Sequence, residues 1–354
     1  MLIFKNILIY SLAHALVDAA CAAVVFYLFK INIIGQDSLA ILIVLYNFLA
    51  FGLQAPLGFL VDKWHLPVQF AVGGCLVVAL ATVAVNFSPF LAVFLAGFGN
   101  ALFHIGGGVI SLNLEPKKAA LPGIFVAPGA LGLLIGILVG KDFSFVAWPF
   151  VFLLIIAAFL IFFIQGPKIK YEYSLKKTPN KINKTELIIV LFLLSITIRS
   201  IVGLAVAFPW KQDLDLLIVL TLAVFFGKAF GGIMADRLGW MRISMISLLI
   251  SAPLLSIGAM FPVCGIVGFF LFNMTMPITL VAIFNLLPGR AGLAFGLTTF
   301  ALLIGFILSI TKVKDLFSEQ GVIFIVIIIS AGVLYQGLKF YNLRVGAFGH
   351  DTMG

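Results

Sequence analysis

Apolar runs long enough to cross a lipid bilayer recur along the whole chain, separated by short polar turns. The hydrocarbon core of a bilayer is about 30 Å thick, so an α-helix needs about 20 mostly apolar residues to span it. Twelve runs qualify, at 4–28, 38–61, 66–86, 89–112, 119–140, 145–166, 186–208, 214–236, 241–260, 263–287, 291–311 and 321–341. The pattern predicts an all-α integral membrane protein with twelve transmembrane helices.

One long polar stretch, 167–184, divides these runs six and six and carries six lysines. We therefore expect an N-terminal six-helix bundle over 1–166, a cytoplasmic linker over 167–184, and a C-terminal six-helix bundle with a short tail over 185–354. The run at 119–140 also contains Pro128, which allows a bend, and a glycine at every fourth position from 132 to 140. Such a stripe predicts tight contact with a neighbouring helix.

Composition supports a membrane protein and excludes several other classes. Residues of the set AVILMFWYC make up 63% of the chain and charged residues only 10%. The basic residues behind the net charge of +9 do not cluster on a soluble face, so nucleic acid is not an expected partner. Cys21, Cys75 and Cys264 lie in apolar runs without metal-ligand spacing. We expect no disulfide, no metal site and no cofactor.

The distribution of lysine and arginine predicts the orientation in the membrane. An even number of spans places both termini on one side, and cytoplasmic loops are rich in basic residues. With cytoplasmic termini, the inside residues are Lys5, Lys63, Lys117, Lys118, the six lysines of 167–184, Arg237, Arg242, Arg290, Lys339 and Arg344. The outside residues are only Lys30, Lys141, Lys211, Lys312 and Lys314. The expected location is the cytoplasmic (inner) membrane.

Two motifs repeat between the halves. A G-x-x-x-D-[RK] motif recurs at an offset of 174, and a second match (113–117 with 285–290) recurs at 172. The glycine permits close helix contact, and the charged pair at the membrane surface can bind helix ends of the other bundle. Six residues are therefore expected to gate the protein: Gly58, Asp62, Lys63, Gly232, Asp236 and Arg237. A solvated turn that only sets topology is the alternative.

Ionisable residues within the spans are the next candidates, because each costs about 2.5–3.5 kcal/mol to insert. His14 and Asp18 are four residues apart and share one helix face. Desolvation disfavours the charged form of Asp18 and a nearby cation favours it, which suits proton binding and release, with His14 tuning the proton. Asp18 and His14 are the expected proton-coupling residues. A permanent structural ion pair, with His14 bonded to a backbone carbonyl, is the alternative.

Five further polar residues are expected to bind substrate: Arg199, His104, Asn100, Asn273 and Lys228. The planar guanidinium of Arg199 matches a carboxylate or phosphonate, or pairs with Asp18 when no substrate is bound. Asn100 and His104 repeat the four-residue spacing, and Asn273 is close to the equivalent of Asn100 in the second half. The alternatives are interhelix hydrogen bonds for the asparagines and His104, a structural ion pair for Arg199, and a snorkelling side chain for Lys228.

Several segments resemble a known family. GFLVDK (58–63) and GGIMADRLGWMR (231–242) resemble the loop signatures of the major facilitator superfamily. SLAHALVD (11–18), LQAPLGFLVDKWHLP (53–67), GFGNALFH (97–104) and FNLLPGRAGLAFGL (284–297) are similar to its fosmidomycin-resistance branch. The resemblance implies proton-driven export, with the first, fourth, seventh and tenth helices lining a central cavity. The His-Pro-Glu continuation common in that branch is absent after His104.

These observations predict a secondary active transporter that works by alternating access, and the resemblance implies export of a small molecule or drug in exchange for protons. Uptake of a small organic anion together with protons is the alternative, since embedded cations outnumber the one embedded acid. The expected partners are a small-molecule substrate, protons and the lipid bilayer, and the chain is expected to act as a monomer. Catalysis is not expected, because the spans contain no H-E-x-x-H motif, paired acids or Ser–His arrangement.

Overall fold

A computed structural model describes residues 2–31, 36–141, 145–171, 184–317 and 319–350. Within these ranges every regular element is a helix, so the all-α expectation is confirmed. Ten helical stretches of the described chain are long and apolar enough to cross a membrane. Two shorter apolar helices, Trp148–Phe163 and Trp240–Ser256, lie where the sixth and ninth spans are expected.

The helices follow the expected runs closely. The first half contains α1 (Leu2–Ile31), α2 (Gln36–Asn47), α3 (Gln54–Trp64), α4 (Pro67–Ala84), α5 (Pro89–Leu114), α6 (Ala120–Val126), α7 (Pro128–Lys141) and α8 (Trp148–Phe163). The second half contains α9 (Lys184–Ala205), α10 (Leu214–Leu238), α11 (Trp240–Ser256), α12 (Pro262–Asn273), α13 (Met276–Leu286), α14 (Ala291–Ser309), α15 (Val313–Leu316) and α16 (Gln320–His350). Most of the linker lies outside the described residues.

Three of the expected runs are interrupted rather than continuous. A π-helical turn, Phe48–Gly52, joins α2 to α3. Pro128 separates α6 from α7, because proline has no backbone N–H for the helical ladder. A turn at 274–275 separates α12 from α13. Such breaks leave backbone groups free to bind side chains, and they often occur at functional sites.

The glycine stripe of α7 packs against α1, as expected. A Cβ atom on Gly132 or Gly136 would overlap the backbone carbonyl of Ala15 or Ala19, one helical turn apart on α1. The two backbones therefore approach as closely as small residues allow. This contact holds α7 against the face of α1 that carries the ionisable residues.

The two halves of the chain meet along two seams. In the first seam α3 packs against α14, and in the second seam α6 and α7 pack against α10. Large apolar side chains cover the outside, for example Phe152, Phe159 and Phe163, as a surface in contact with lipid requires. The ionisable residues of the spans lie inside this apolar surface.

Candidate functional site: an intramembrane histidine–aspartate cluster

α1 and α5 bring three ionisable side chains together, which we call the histidine–aspartate cluster: His14, Asp18 and His104. The two Nε2 atoms of the histidines are 2.9 Å apart. His14 Nε2 lies 3.2 Å from Asp18 Oδ2, and His104 Nε2 lies 3.6 Å from Asp18 Oδ1. Asn100 donates a hydrogen bond of 3.0 Å to Asp18 Oδ1. Four residues singled out in the sequence are therefore in one place.

The other ring nitrogen of each histidine faces a backbone carbonyl. His14 Nδ1 is 2.7 Å from the oxygen of Phe125, and His104 Nδ1 is 2.9 Å from the oxygen of Asn100. A carbonyl oxygen only accepts, so both Nδ1 atoms carry the hydrogen. In the neutral imidazole both Nε2 atoms are then bare acceptors.

The cluster therefore needs a cation at its centre. Two bare nitrogens and a carboxylate face one another, and all of them accept hydrogen bonds. The side chain of Asp18 is only 20% exposed and that of His104 only 13%, so water solvates these lone pairs poorly. One proton on a histidine nitrogen, or another positive ion, supplies the missing charge and removes the repulsion between acceptors.

Pro128 explains how the chain builds this environment. Its missing N–H interrupts the helix between α6 and α7, and the carbonyls just before it accept bonds from α1 instead. Ser11 Oγ donates to Ile124 (3.3 Å) and His14 Nδ1 to Phe125 (2.7 Å). The role of this break was not predicted from the sequence, although the proline itself was visible.

Gly129 follows the break and borders the cluster. A Cβ atom at this position would lie 2.5 Å from Asp18 Oδ2 and 2.7 Å from His14 Nε2. Any side chain would press on these two polar atoms. A glycine directly after a proline within a span was the available signal for this residue.

Lys228 of α10 is a lysine of the second half that interacts with the cluster through its charge. It lies within range of charge interaction with both Asp18 and His104. A positive charge at this position competes with any cation in the cluster and connects the cluster to the second seam. Lys228 was expected to bind substrate, and its position beside the cluster is compatible with that role.

Arg199 lies apart from the cluster. The guanidinium of this buried side chain donates to the hydroxyls of Thr275 and Thr279 and to the carbonyl of Ser195. Among the described residues it has no carboxylate partner, so the pairing with Asp18 that we considered is not formed. Asn273, at the end of α12, donates a hydrogen bond of 2.8 Å to the carbonyl of Phe269 on its own helix.

Asp62 binds across the first seam. Its two carboxylate oxygens accept from the backbone amides of Gly292 and Leu293, both at 2.8 Å, at the start of α14. Gly58 makes this approach possible, because a Cβ atom there would overlap the backbone of Gly292. A carboxylate at this position satisfies unpaired amides and the helix dipole.

Asp236 makes the same contact across the second seam. Its carboxylate accepts from the amides of Ala119 and Ala120, both at 2.9 Å, at the start of α6. Gly232 contacts the backbone of Ala119 as closely as Gly58 contacts Gly292. The basic residues that follow each acid, Lys63 and Arg237, are exposed. The repeated motifs thus lie at equivalent ends of the two seams.

Lys211 lies at the other end of α10. Its Nζ is 5.0 Å from the ring centre of Phe208 and 5.2 Å from that of Phe269, and it donates 3.2 Å to the carbonyl of Val206. Burial lowers the pKa of Lys211 from its ordinary value. From the sequence this residue was expected only to be one of the outside charges.

Comparisons with known proteins identify the fold. No family model and no curated protein matches the sequence. A single-residue variant of the E. coli fucose:proton symporter FucP superposes with a TM-score of 0.72 at 12% identity, covering 96% of this chain and 98% of that chain. The chain has the major facilitator fold. FucP in the outward conformation gives a TM-score of 0.69 at 12% identity, covering 95% and 99% of the two chains.

A third structure supports the same assignment. A bacterial homologue of the iron transporter ferroportin, in an outward-facing state, gives a TM-score of 0.64 at 14% identity, covering 96% of this chain and 98% of that chain. With this fold and its apolar helices, the chain is a multi-pass membrane protein. Identities this low show the fold alone, and the fosmidomycin-resistance branch stays a prediction.

Proposed function

We propose that this protein is a proton-coupled secondary transporter of the major facilitator type. Its twelve spans form two six-helix bundles, 1–166 and 185–354, that rock about a central site. The observation that carries the proposal is the cluster of His14, Asp18 and His104, which requires a cation at bilayer depth. Ionisable groups at that depth mark ion and substrate pathways.

Export by antiport requires a proton and the substrate to compete for the same site, and we place that site at Asp18. Coupling by symport through Asp18 and Arg199 requires the two side chains to exchange partners, and Arg199 instead bonds to Thr275 and Thr279. A proton and a cationic or neutral substrate that both bind at Asp18 exclude each other, which is the requirement for exchange. Protons that enter the cluster from outside then displace substrate, and substrate displaces protons inside.

The contacts of Asp62 and Asp236 supply the gate in this mechanism. Both seams are closed at the end that carries these acids. The basic residues of 167–184 and of neighbouring loops support a cytoplasmic location for that end. The arrangement then corresponds to an outward-facing state, and transport requires both acids to release their helix ends.

Replacing Asp236 with Asn is expected to favour opening of this end. The loss of a negative charge at the start of α6 costs about 0.3–2 kcal/mol, or a roughly 2- to 30-fold shift toward the open form. The shift is measured as the distance between spin labels at positions 118 and 242, on either side of the second seam. Asp215→Asn serves as the control, because Asp215 is an exposed acid on α10, the helix that also carries Asp236. An unchanged distance distribution would leave Asp236 as a topology signal only.

The proposed orientation has its own test. In a cysteine-free variant, a cysteine introduced at position 176 is expected to resist a membrane-impermeant thiol reagent added to intact cells and to react after the membrane is opened. The reason is the excess of basic residues on the side of 167–184. A cysteine at exposed Phe87 should react in intact cells. The reverse pattern would overturn the orientation.

Uptake of a small anion together with protons is the second candidate. It is favoured by one observation, a buried arginine with no carboxylate partner among the described residues. A substrate carboxylate or phosphonate that replaced the two threonine hydroxyls would neutralise the positive charge of Arg199. In proteoliposomes, an inside-alkaline gradient then drives a labelled anion inward, whereas antiport drives substrate against the direction of proton flow.

A further inference from the structure

We propose that the histidine–aspartate cluster binds a divalent transition-metal ion, of the Mn²⁺, Fe²⁺, Co²⁺ and Zn²⁺ class, through His14 Nε2, His104 Nε2 and the carboxylate of Asp18. The ion is the substrate that exchanges with protons. That second statement rests on the proposed transport function, whereas binding of the ion does not.

The distances within the cluster fit a coordination shell. Metal–nitrogen and metal–oxygen bonds of about 2.0–2.2 Å place neighbouring ligand atoms about 2.9–3.5 Å apart. The separations are 2.9 Å between the two nitrogens, and 3.2 and 3.6 Å from nitrogen to carboxylate oxygen. One ligand atom from each of the three residues lies within 4.8 Å of the others. An ion can therefore bind after sub-ångström shifts of the three ligand atoms.

The groups behind the ligands are also those of a metal site. A histidine that binds a metal usually donates its second ring N–H to a carbonyl or carboxylate, which fixes the ring. His14 and His104 both do so, to the carbonyls of Phe125 and Asn100. The amide of Asn100 holds Asp18 from the other side. The three ligands are thus oriented before any ion arrives.

The ligand set also determines which cations fit. Two imidazoles and one carboxylate suit transition metals, whereas Mg²⁺ and Ca²⁺ prefer shells of oxygen. Gly129 packs directly against two of the ligands, where a Cβ atom would lie 2.5 Å from Asp18 Oδ2, so only glycine leaves the ligand atoms undisturbed. The positive charge of Lys228 opposes the ion and provides a means of releasing it.

The sequence assigned His14 and Asp18 to proton coupling and His104 to substrate binding, and no metal was expected from it. No metal-binding sequence motif marks the site, because two of the ligands lie one turn apart on α1 and the third lies on α5. The two histidines are 90 positions apart in the chain. Only the packing of α1 against α5 brings them together.

The test uses the whole protein, purified metal-free in nanodiscs, with Co²⁺ as the probe. We expect one Co²⁺ per chain, with the visible absorption of nitrogen-ligated cobalt, displaced by Zn²⁺ but not by excess Mg²⁺ or Ca²⁺. His104→Ala should weaken binding at least about 100-fold, since loss of groups behind a ligand already costs 10- to 100-fold. His65→Asn is the matched control, because this exposed histidine ends α3 in a left-handed conformation that asparagine tolerates.

Further variants separate binding from folding and from transport. Lys228→Met should tighten Co²⁺ binding several-fold, a gain that a misfolded variant cannot produce. Absence of cobalt absorption in the unaltered protein, or equal affinity in His104→Ala, would overturn the metal site. If proton-driven conformational change persists in that case, the transporter proposal stands. If cobalt binds but neither pH nor metal moves the helices, the transport part fails instead.

Discussion

Replacing Asp18 with Asn is expected to abolish the pH dependence of the equilibrium between the outward-facing form and the form that is open at the Asp62 and Asp236 end. In the unaltered protein the cluster of His14, Asp18 and His104 is stable only with a cation at its centre. Acid pH therefore favours the described arrangement, and deprotonation at alkaline pH weakens it. One linked proton changes such an equilibrium by up to about tenfold per pH unit.

The side-chain amide introduced by Asp18→Asn removes this dependence because it brings its own hydrogens. Its N–H donates to a bare histidine nitrogen without taking up a proton, so the cluster is satisfied at every pH. The measurement is the distance between spin labels at positions 118 and 242 over a pH titration. Asp315→Asn, at an exposed acid, is the control and should titrate like the unaltered protein. A full pH response in Asp18→Asn would contradict the assignment of Asp18 as the proton-coupling residue, and another titratable group would then have to carry that role.

Replacing Gly58 with Val is expected to hold the Asp62 end open. A Cβ atom at Gly58 would overlap the carbonyl of Gly292, and the backbone of α14 cannot yield without moving the whole helix. Overpacking of this kind costs about 1–3 kcal/mol, which corresponds to a roughly 5- to 150-fold shift toward the open form. Faster alkylation of a cysteine at position 293, which lies under the closed seam, measures the shift.

Gly73→Val is the matched control for this substitution. Gly73 lies on α4, and a Cβ atom there meets no other atom within 4 Å. The same change in helix propensity and volume is then made without closing or opening a seam. If both variants alkylate at the same rate, and both melt as the unaltered protein does, the close contact between Gly58 and Gly292 has no part in gating.

The sequence predicted the elements and much of the site for identifiable reasons. Span length is fixed by bilayer thickness, so the apolar runs locate the helices well. Spacings of four residues predicted that His14 lies beside Asp18 and that the glycines of α7 pack closely, because these relations hold within one helix. The duplicated motifs indicated equivalent positions for Asp62 and Asp236 without naming their partners.

What the sequence did not predict depends on contacts between distant segments. The carbonyl of Phe125 binds His14 only because Pro128 interrupts a helix that also packs against α1. The position of Arg199 beside Thr275 and Thr279 depends on how the turn between α12 and α13 folds. That Asp18 and Arg199 do not pair could therefore be seen only in the structure, as could the direct contact among His14, Asp18 and His104.

The most direct test of proton-coupled alternating access observes both ends of the unaltered protein as pH changes. One pair of spin labels at 118 and 242 reports the Asp62 and Asp236 end, and a second pair at exposed Phe87 and Met260 reports the opposite end. Our account predicts reciprocal changes, with the first distance growing and the second shrinking as pH rises. Distances that are independent of pH, or that change in the same direction at both ends, would contradict it.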